Sequence, residues 1–167
     1  KDRRVFILCG SIHEKIPGSD KAYNTSVLVD PQGEIKAVYR KMHLFQAVIQ
    51  NRVINEAEIF RSGGRPAMGR VGEFRVGLSI CYDLRFPELY QRYARKGAHL
   101  FCVPSAFTKF TGEAHFETLL RARAIENLCY VLAPNQTGKD ARGIPSFGGS
   151  MIIDPWGRVL AKASADQ

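Results

Sequence analysis

The chain has 167 residues, 45% of them hydrophobic, enough to bury one core in one domain. Lysine and arginine exceed aspartate and glutamate by 24 − 16 = 8, yet apart from residues 1–4 and the Arg40-Lys41 pair they are scattered among acids with no interleaved aromatics, which argues against nucleic acid as a partner. Four cysteines without a CxxC pair or a Cys/His cluster at ligand spacing argue against structural zinc and a disulfide framework, and free thiols lead us to expect a reducing compartment, the cytoplasm. No apolar run approaches the ~18 residues of a membrane span, so no membrane partner is expected.

In chain order, residues 5–9, 25–29, 35–40, 75–80, 100–103 and 130–133 read as strands, and residues 87–96 and 113–127 as helices, an α/β alternation. Segments 26–37 (SVLVDPQGEIKA) and 150–161 (SMIIDPWGRVLA) align without a gap, each a hairpin around Asp-Pro-x-Gly. Proline presets the first φ of such a turn and glycine supplies the positive φ that ends it. On the second helix Phe116, Leu119, Leu120 and Ala124 recur at the spacing of a buried face, while Glu117 and Arg121 are placed to pair across one turn.

The most informative junction is EFRVGLSICYDLRFPELYQRYAR, residues 73–95. An apolar strand ends abruptly at Cys81 and a Pro-opened amphipathic helix follows within a few residues, the strand–turn–helix arrangement that presents a nucleophile. A thiol there is expected to feel the positive end of a helix dipole, which favours thiolate. Cys9, Cys102 and Cys129 lie within or at the start of apolar runs and read as core.

Lys41 follows directly from the strand at 35–40, and an ammonium at a strand end next to a thiolate is suited to hold an oxyanion and to lower the pKa of the thiol. Arg85 lies four residues beyond Cys81. A guanidinium there either grips a carboxylate in the same pocket or is taken up by Asp83 or Glu88. Histidines offer no rival mechanism: His13 reads as loop, His99 as a strand start, and His43 and His115 as structural hydrogen-bonding residues.

These residues carry a resemblance. Through Asn24-Thr25-Ser26, residues 39–45, 77–88, 104–107, 111–115, 121–127 and 154–157, nearly the whole chain, the sequence resembles the nitrilase, or carbon–nitrogen hydrolase, superfamily and its Nit-type amidases. The resemblance implies a four-layer αββα sandwich, usually paired into homodimers or larger homo-oligomers, with a Glu-Lys-Cys triad in which Cys81 is the nucleophile and Lys41 the lysine. It implies a second glutamate near the pocket, for which Glu56 fits better than Glu58. It also implies that Arg85, with Phe107 and Thr111, holds the anionic end of a small-molecule substrate.

In the mechanism so implied, the Cys81 thiolate attacks an amide carbonyl, Lys41 and the Tyr82 backbone N–H receive the oxyanion, ammonia leaves, and water hydrolyses the thioester without a metal or organic cofactor. An ω-amide of a 2-oxo acid or deaminated glutathione is the expected substrate. The alternatives are hydrolysis of an N-carbamoyl or neutral aliphatic amide, and a non-catalytic scaffold. The general base of such enzymes is a glutamate on an early strand, well ahead of the lysine; Glu14 falls in a predicted loop and does not fit. Residues 1–167 are therefore expected to be a partial domain, an internal piece of a longer protein that lacks the segment carrying the base and the closing tail.

Overall fold

A computed structural model describes residues 4–49 and 52–164. Strands β1 (Ile7–Lys15), β2 (Ala22–Val29) and β3 (Ile35–Arg40) form an antiparallel sheet in that order. The β2–β3 turn closes because the side chain of Asp30 accepts from the backbone N–H groups of Gln32 and Glu34, both at 2.9 Å, while Gly33 takes φ +85°. At the other end of the chain β10 (Met151–Ile153) and β11 (Val159–Lys162) are joined in the same way: Asp154 accepts from Trp156 and Arg158 at 2.9 and 2.8 Å, and Gly157 takes φ +81°. Both hairpins also shift register on the strand just ahead of the aspartate. The internal repeat is thus a repeated turn chemistry in which Asp and Gly each have a fixed task.

A second sheet runs β11-β10-β9-β8-β7-β6, with β6 at Ala67–Val71, β7 at Phe74–Leu78, β8 at Leu100–Cys102 and β9 at Tyr130–Ala133. Its centre, β7-β8-β9, is parallel and its flanks are antiparallel. Helices α1 (Pro87–Arg95) and α2 (Lys109–Asn127) make the two crossovers. Gly77, Phe101, Val131 and Ile153 are paired across four strands and share one face. Against that face pack Tyr90 and Tyr93 of α1 and Phe116, Leu120 and Ala124 of α2, all buried. A Cβ on Gly77 would stand 2.7 Å from the Tyr93 ring, so this strand position admits only glycine at the present helix–sheet separation. On the opposite face Leu28 and Ala37 close against Gly69 of β6.

Helices, six-stranded sheet and three-stranded sheet account for three layers of the αββα sandwich among the described residues. No helix among them is long and apolar enough to cross a membrane.

Several expectations need correction. β1 continues to Lys15, which places His13 and Glu14 in a strand, and Glu14 there bonds Arg40 Nε at 2.8 Å and Thr25 Oγ1 at 2.7 Å. A short hairpin, β4 (Gln46–Ile49) with β5 (Arg52–Asn55), and strand β6 were not anticipated. Helix α2 starts four residues early, at Lys109 behind a Thr108 cap, and Gly112 in its first turn lies under the Phe147 side chain. Cys9 is half-buried and outside the core, whereas Cys102 and Cys129 are buried as expected.

Candidate active site

The parallel strands all deliver chain to one end, where α/β sheets place their ligands. After β7, Ser79 and Ile80 lead into Cys81, which adopts φ +51°. A non-glycine residue in this left-handed region carries roughly 1–2 kcal/mol of strain and persists only where its surroundings over-determine it. Here they do: Cys81 N–H donates to Pro104 O at 2.9 Å, Ile80 N–H to the Asp83 carboxylate at 2.9 Å, and Asp83 N–H back to Ile80 O at 3.1 Å. The segment that follows, Cys81–Arg85, is a 3₁₀ turn, and α1 begins beyond it at Pro87.

Cys81 lines a cavity of about 410 Å³ shared with Lys41, Glu56, Arg85, Phe107 and Thr111. Lys41 leaves the end of β3 with its backbone bonded to Asn24 O (2.8 Å) and Gly63 N (2.8 Å), and its side chain is only 1% exposed. A Cβ on Gly63 would run into the Arg40 carbonyl, so glycine is what lets the neighbouring chain close over the lysine segment. The Lys41 ammonium meets Glu56 Oε2 at 2.6 Å. The same oxygen accepts from Phe45 N–H at 2.7 Å, and Glu56 N–H returns a bond to Phe45 O at 2.9 Å. Glu56 opens a 3₁₀ turn capped by Asn55, whereas Glu58 on the same turn bonds Asn55 Nδ2 at 3.3 Å and is not in the cavity wall.

The thiol is not poised as thiolate. Burial pushes the Cys81 thiol up, and the negative charges of Glu56 and Asp83 add to this; the Lys41 ammonium and the Ala106 backbone N–H oppose it without prevailing. The expected helix dipole is absent because a short 3₁₀ turn follows Cys81, and the charge of Lys41 is already partnered by Glu56. Burial also raises Cys102 to about 12 and Cys129 to about 11, and neither lines the cavity that holds Cys81. Alkylation of Cys81 by iodoacetamide should therefore be slow at neutral pH and rise through and beyond the ordinary thiol range, since only thiolate reacts. A rate–pH profile with site-resolved peptide mapping checks this; a plateau reached below pH 7 would show a lowered thiol.

Arg85 is not absorbed by Asp83 or Glu88. Its guanidinium lies 3.2 Å from His115 Nδ1 and 5.9 Å from the centres of both the Tyr82 and Phe107 rings. Phe107 is buried and its N–H donates to Asn135 Oδ1 at 3.0 Å; Asn135, just past β9, in turn donates to Gly148 O at 2.7 Å. Thr111 Oγ1 lies 2.9 Å from Thr108 Oγ1 at the start of α2. Sequence reading passed over Ala106 and Asn135. Their position just beyond β8 and β9, level with Cys81 beyond β7, is the signal that could have marked them.

Residues 1–167 match the carbon-nitrogen hydrolase family throughout. The chain is 47% identical to a deaminated glutathione amidase of Dictyostelium discoideum over 164 residues, 96% of this chain and 56% of that protein. It is 46% identical to the nitrilase and fragile histidine triad fusion protein NitFhit of Caenorhabditis elegans over 170 residues, 98% of this chain and 38% of that protein. The crystal structure of C. elegans NitFhit superposes with a TM-score of 0.88 at 44% identity, covering 98% of this chain and 40% of that one. A mutant of an amidase from Nesterenkonia sp. AN1, which carries the acetamide moiety of fluoroacetamide covalently at its active site cysteine, gives 0.85 at 29% identity, covering 99% of this chain and 59% of that one. The chain spans about half the length of the curated relatives it matches, and over its whole length it belongs to the carbon–nitrogen hydrolase family.

Proposed function

We propose that the protein containing this chain hydrolyses the amide C–N bond of a small, carboxylate-bearing substrate through a thioester on Cys81. The observation that carries the reading is one cavity holding a strained cysteine, a buried lysine paired with a glutamate, and an arginine aimed into the same space. Its volume suits a small-molecule ligand.

Cys81 Sγ attacks the amide carbon; the C–S bond forms and the carbonyl electron pair moves onto oxygen, where Lys41 and the Tyr82 backbone N–H receive it. The C–N bond then breaks and the nitrogen leaves with a proton as ammonia. Water attacks the thioester, the C–S bond breaks, and the acid is released with the thiol restored. A thiol raised by burial needs its proton taken as it attacks, so the scheme requires a general base. Glu56 is engaged by Lys41 and by Phe45 N–H, an arrangement that orients the lysine rather than takes protons. We infer that this base is the further glutamate that the family resemblance implies.

Arg85 between two aromatic rings supports a carboxylate close to the scissile amide, as in an ω-amide of a 2-oxo acid or deaminated glutathione. Arg85→Ala in the full-length protein should lower kcat/KM for such substrates about ten- to a hundredfold, because a charge-assisted hydrogen bond contributes roughly 1.5–3 kcal/mol. Neutral aliphatic amides have no such bond to lose. Equal losses on both would make Arg85 structural and move the reading toward N-carbamoyl or neutral amides.

A further inference from the structure

The Asp83 carboxylate is fully buried, two residues past Cys81, and four donors converge on its two oxygens. Tyr39 Oη donates at 2.7 Å, His43 N–H at 3.0 Å, His43 Nδ1 at 2.7 Å and Ile80 N–H at 2.9 Å. A carboxylate can only accept, so His43 Nδ1 carries the proton shared with Asp83. The His43 ring also stacks on Phe86, with centroids 3.7 Å apart and planes within 8°, and Tyr39 Oη takes a second bond from Met42 N–H at 3.3 Å.

Three of these donors come from residues 39 and 43, which bracket Lys41. The fourth comes from Ile80, which with Asp83 brackets Cys81. One side chain therefore ties the segment bearing the ammonium to the turn bearing the thiol, although β3 and β7 belong to different sheets. We infer that Asp83 is a positioning residue: through His43 and Tyr39 it sets where the Lys41 ammonium stands relative to Cys81 Sγ. The inference rests on the proposed roles of Lys41 and Cys81.

A role in activating the thiol is excluded by sign, since a negative charge at Asp83 makes Cys81 harder to deprotonate. What the carboxylate supplies is geometry, and displacement of a catalytic group by about 1 Å can lower a rate by ~10². Asp83→Asn keeps size but replaces one acceptor oxygen by a donor that faces other donors, so the clamp slackens while the thiol loses a nearby negative charge. Two readouts then move in opposite directions, which a merely structural role would not produce.

The test is a double-mutant cycle in the full-length protein. Single-turnover acylation by a carboxylate-bearing amide is measured for the wild type, Asp83→Asn, Lys41→Ala and the double variant. Asp83→Asn alone should acylate about ten- to a hundredfold more slowly with KM little changed, and in the Lys41→Ala background it should add far less, because most of its effect runs through the lysine and only its hold on Ile80 N–H acts on Cys81 directly. Iodoacetamide should label Cys81 of Asp83→Asn at least as fast as in the wild type while Cys102 and Cys129 stay protected. Losses that multiply independently, or a wild-type acylation rate in Asp83→Asn, would overturn the inference. Should Asp83→Asn not fold, Tyr39→Phe removes one donor and keeps the ring: a several-fold loss that vanishes without Lys41 supports the clamp, and an unchanged rate overturns it. Wild-type acylation by Lys41→Ala would instead overturn the assignment of the lysine itself.

Discussion

Lys41→Ala in the full-length protein should slow acylation by ~10²–10³, the loss usual on removing one oxyanion donor from a closed site. Two structural consequences add to it. The thiol loses the ammonium that opposes its raised pKa, and Glu56 Oε2 keeps only the Phe45 N–H, leaving a largely buried carboxylate without its counter-charge. Single-turnover acylation separates the contributions: the slower rate should appear with substrate affinity nearly intact, and iodoacetamide alkylation of Cys81 should need higher pH than in the wild type. A loss confined to KM would mean that Lys41 binds the substrate without stabilising charge in the transition state.

Glu56→Gln should produce the next largest effect. The lysine is 1% exposed and Glu56 is its one ion-pair partner within the described residues, so the substitution leaves a buried ammonium facing a neutral amide. Unpaired buried charge is unstable by several kcal/mol, and the site can relax only by shedding the charge or by moving the side chain. Either response weakens oxyanion stabilisation, and a fall in kcat of about a hundredfold is expected. Stability should fall by roughly 1–3 kcal/mol, visible as a lower denaturation midpoint at unchanged m-value, because the amide still accepts from Phe45 N–H but no longer neutralises the lysine. Glu58→Gln is the control: among the described residues Glu58 bonds only Asn55, and it stands outside the cavity, so near wild-type kinetics are expected. Equal effects of the two substitutions would remove Glu56 from the site.

The features legible in the sequence were those with local causes. Strands β3 and β9 match their expected limits because β-branched and aromatic residues run between clear turn signals. The two Asp-Pro-x-Gly turns were readable for the same reason, and the strand-to-turn junction at Cys81 stood out because an apolar run stops where a polar, proline-opened segment starts. Hairpin β4–β5 escaped because its strands are four residues each and its exposed face carries Val48 and Val53, 70% and 68% exposed, next to the buried Ile49 and Ile54, so apolar residues on both faces hide the alternation in the sequence. Helix α2 starts four residues ahead of its expected limit because Thr108 caps it and Gly112 leaves room for Phe147 against its first turn.

The site divides in the same way. A shared pocket for Cys81, Lys41, Glu56, Arg85, Phe107 and Thr111 was implied by motif and resemblance, and all six line one cavity. The direction in which the thiol is displaced did not follow. It depends on the sum of burial, Lys41, Glu56 and Asp83, groups distant in sequence whose distances only the fold fixes. The network around Asp83 was hidden likewise, since Tyr39 and His43 lie some forty residues away in sequence, on β3 and just beyond its end.

The most direct test of Cys81 as the nucleophile is an acid-quenched single turnover. Full-length protein is mixed with a carboxylate-bearing ω-amide, quenched within one turnover time, and peptide-mapped for an acyl mass on each of the four cysteines. The acyl group is expected on the peptide carrying Cys81 and on no other, and both adduct and ammonia release should disappear in Cys81→Ser. Steady ammonia release with no adduct on Cys81, or an adduct on Cys9, Cys102 or Cys129 that survives Cys81→Ser, would contradict the account.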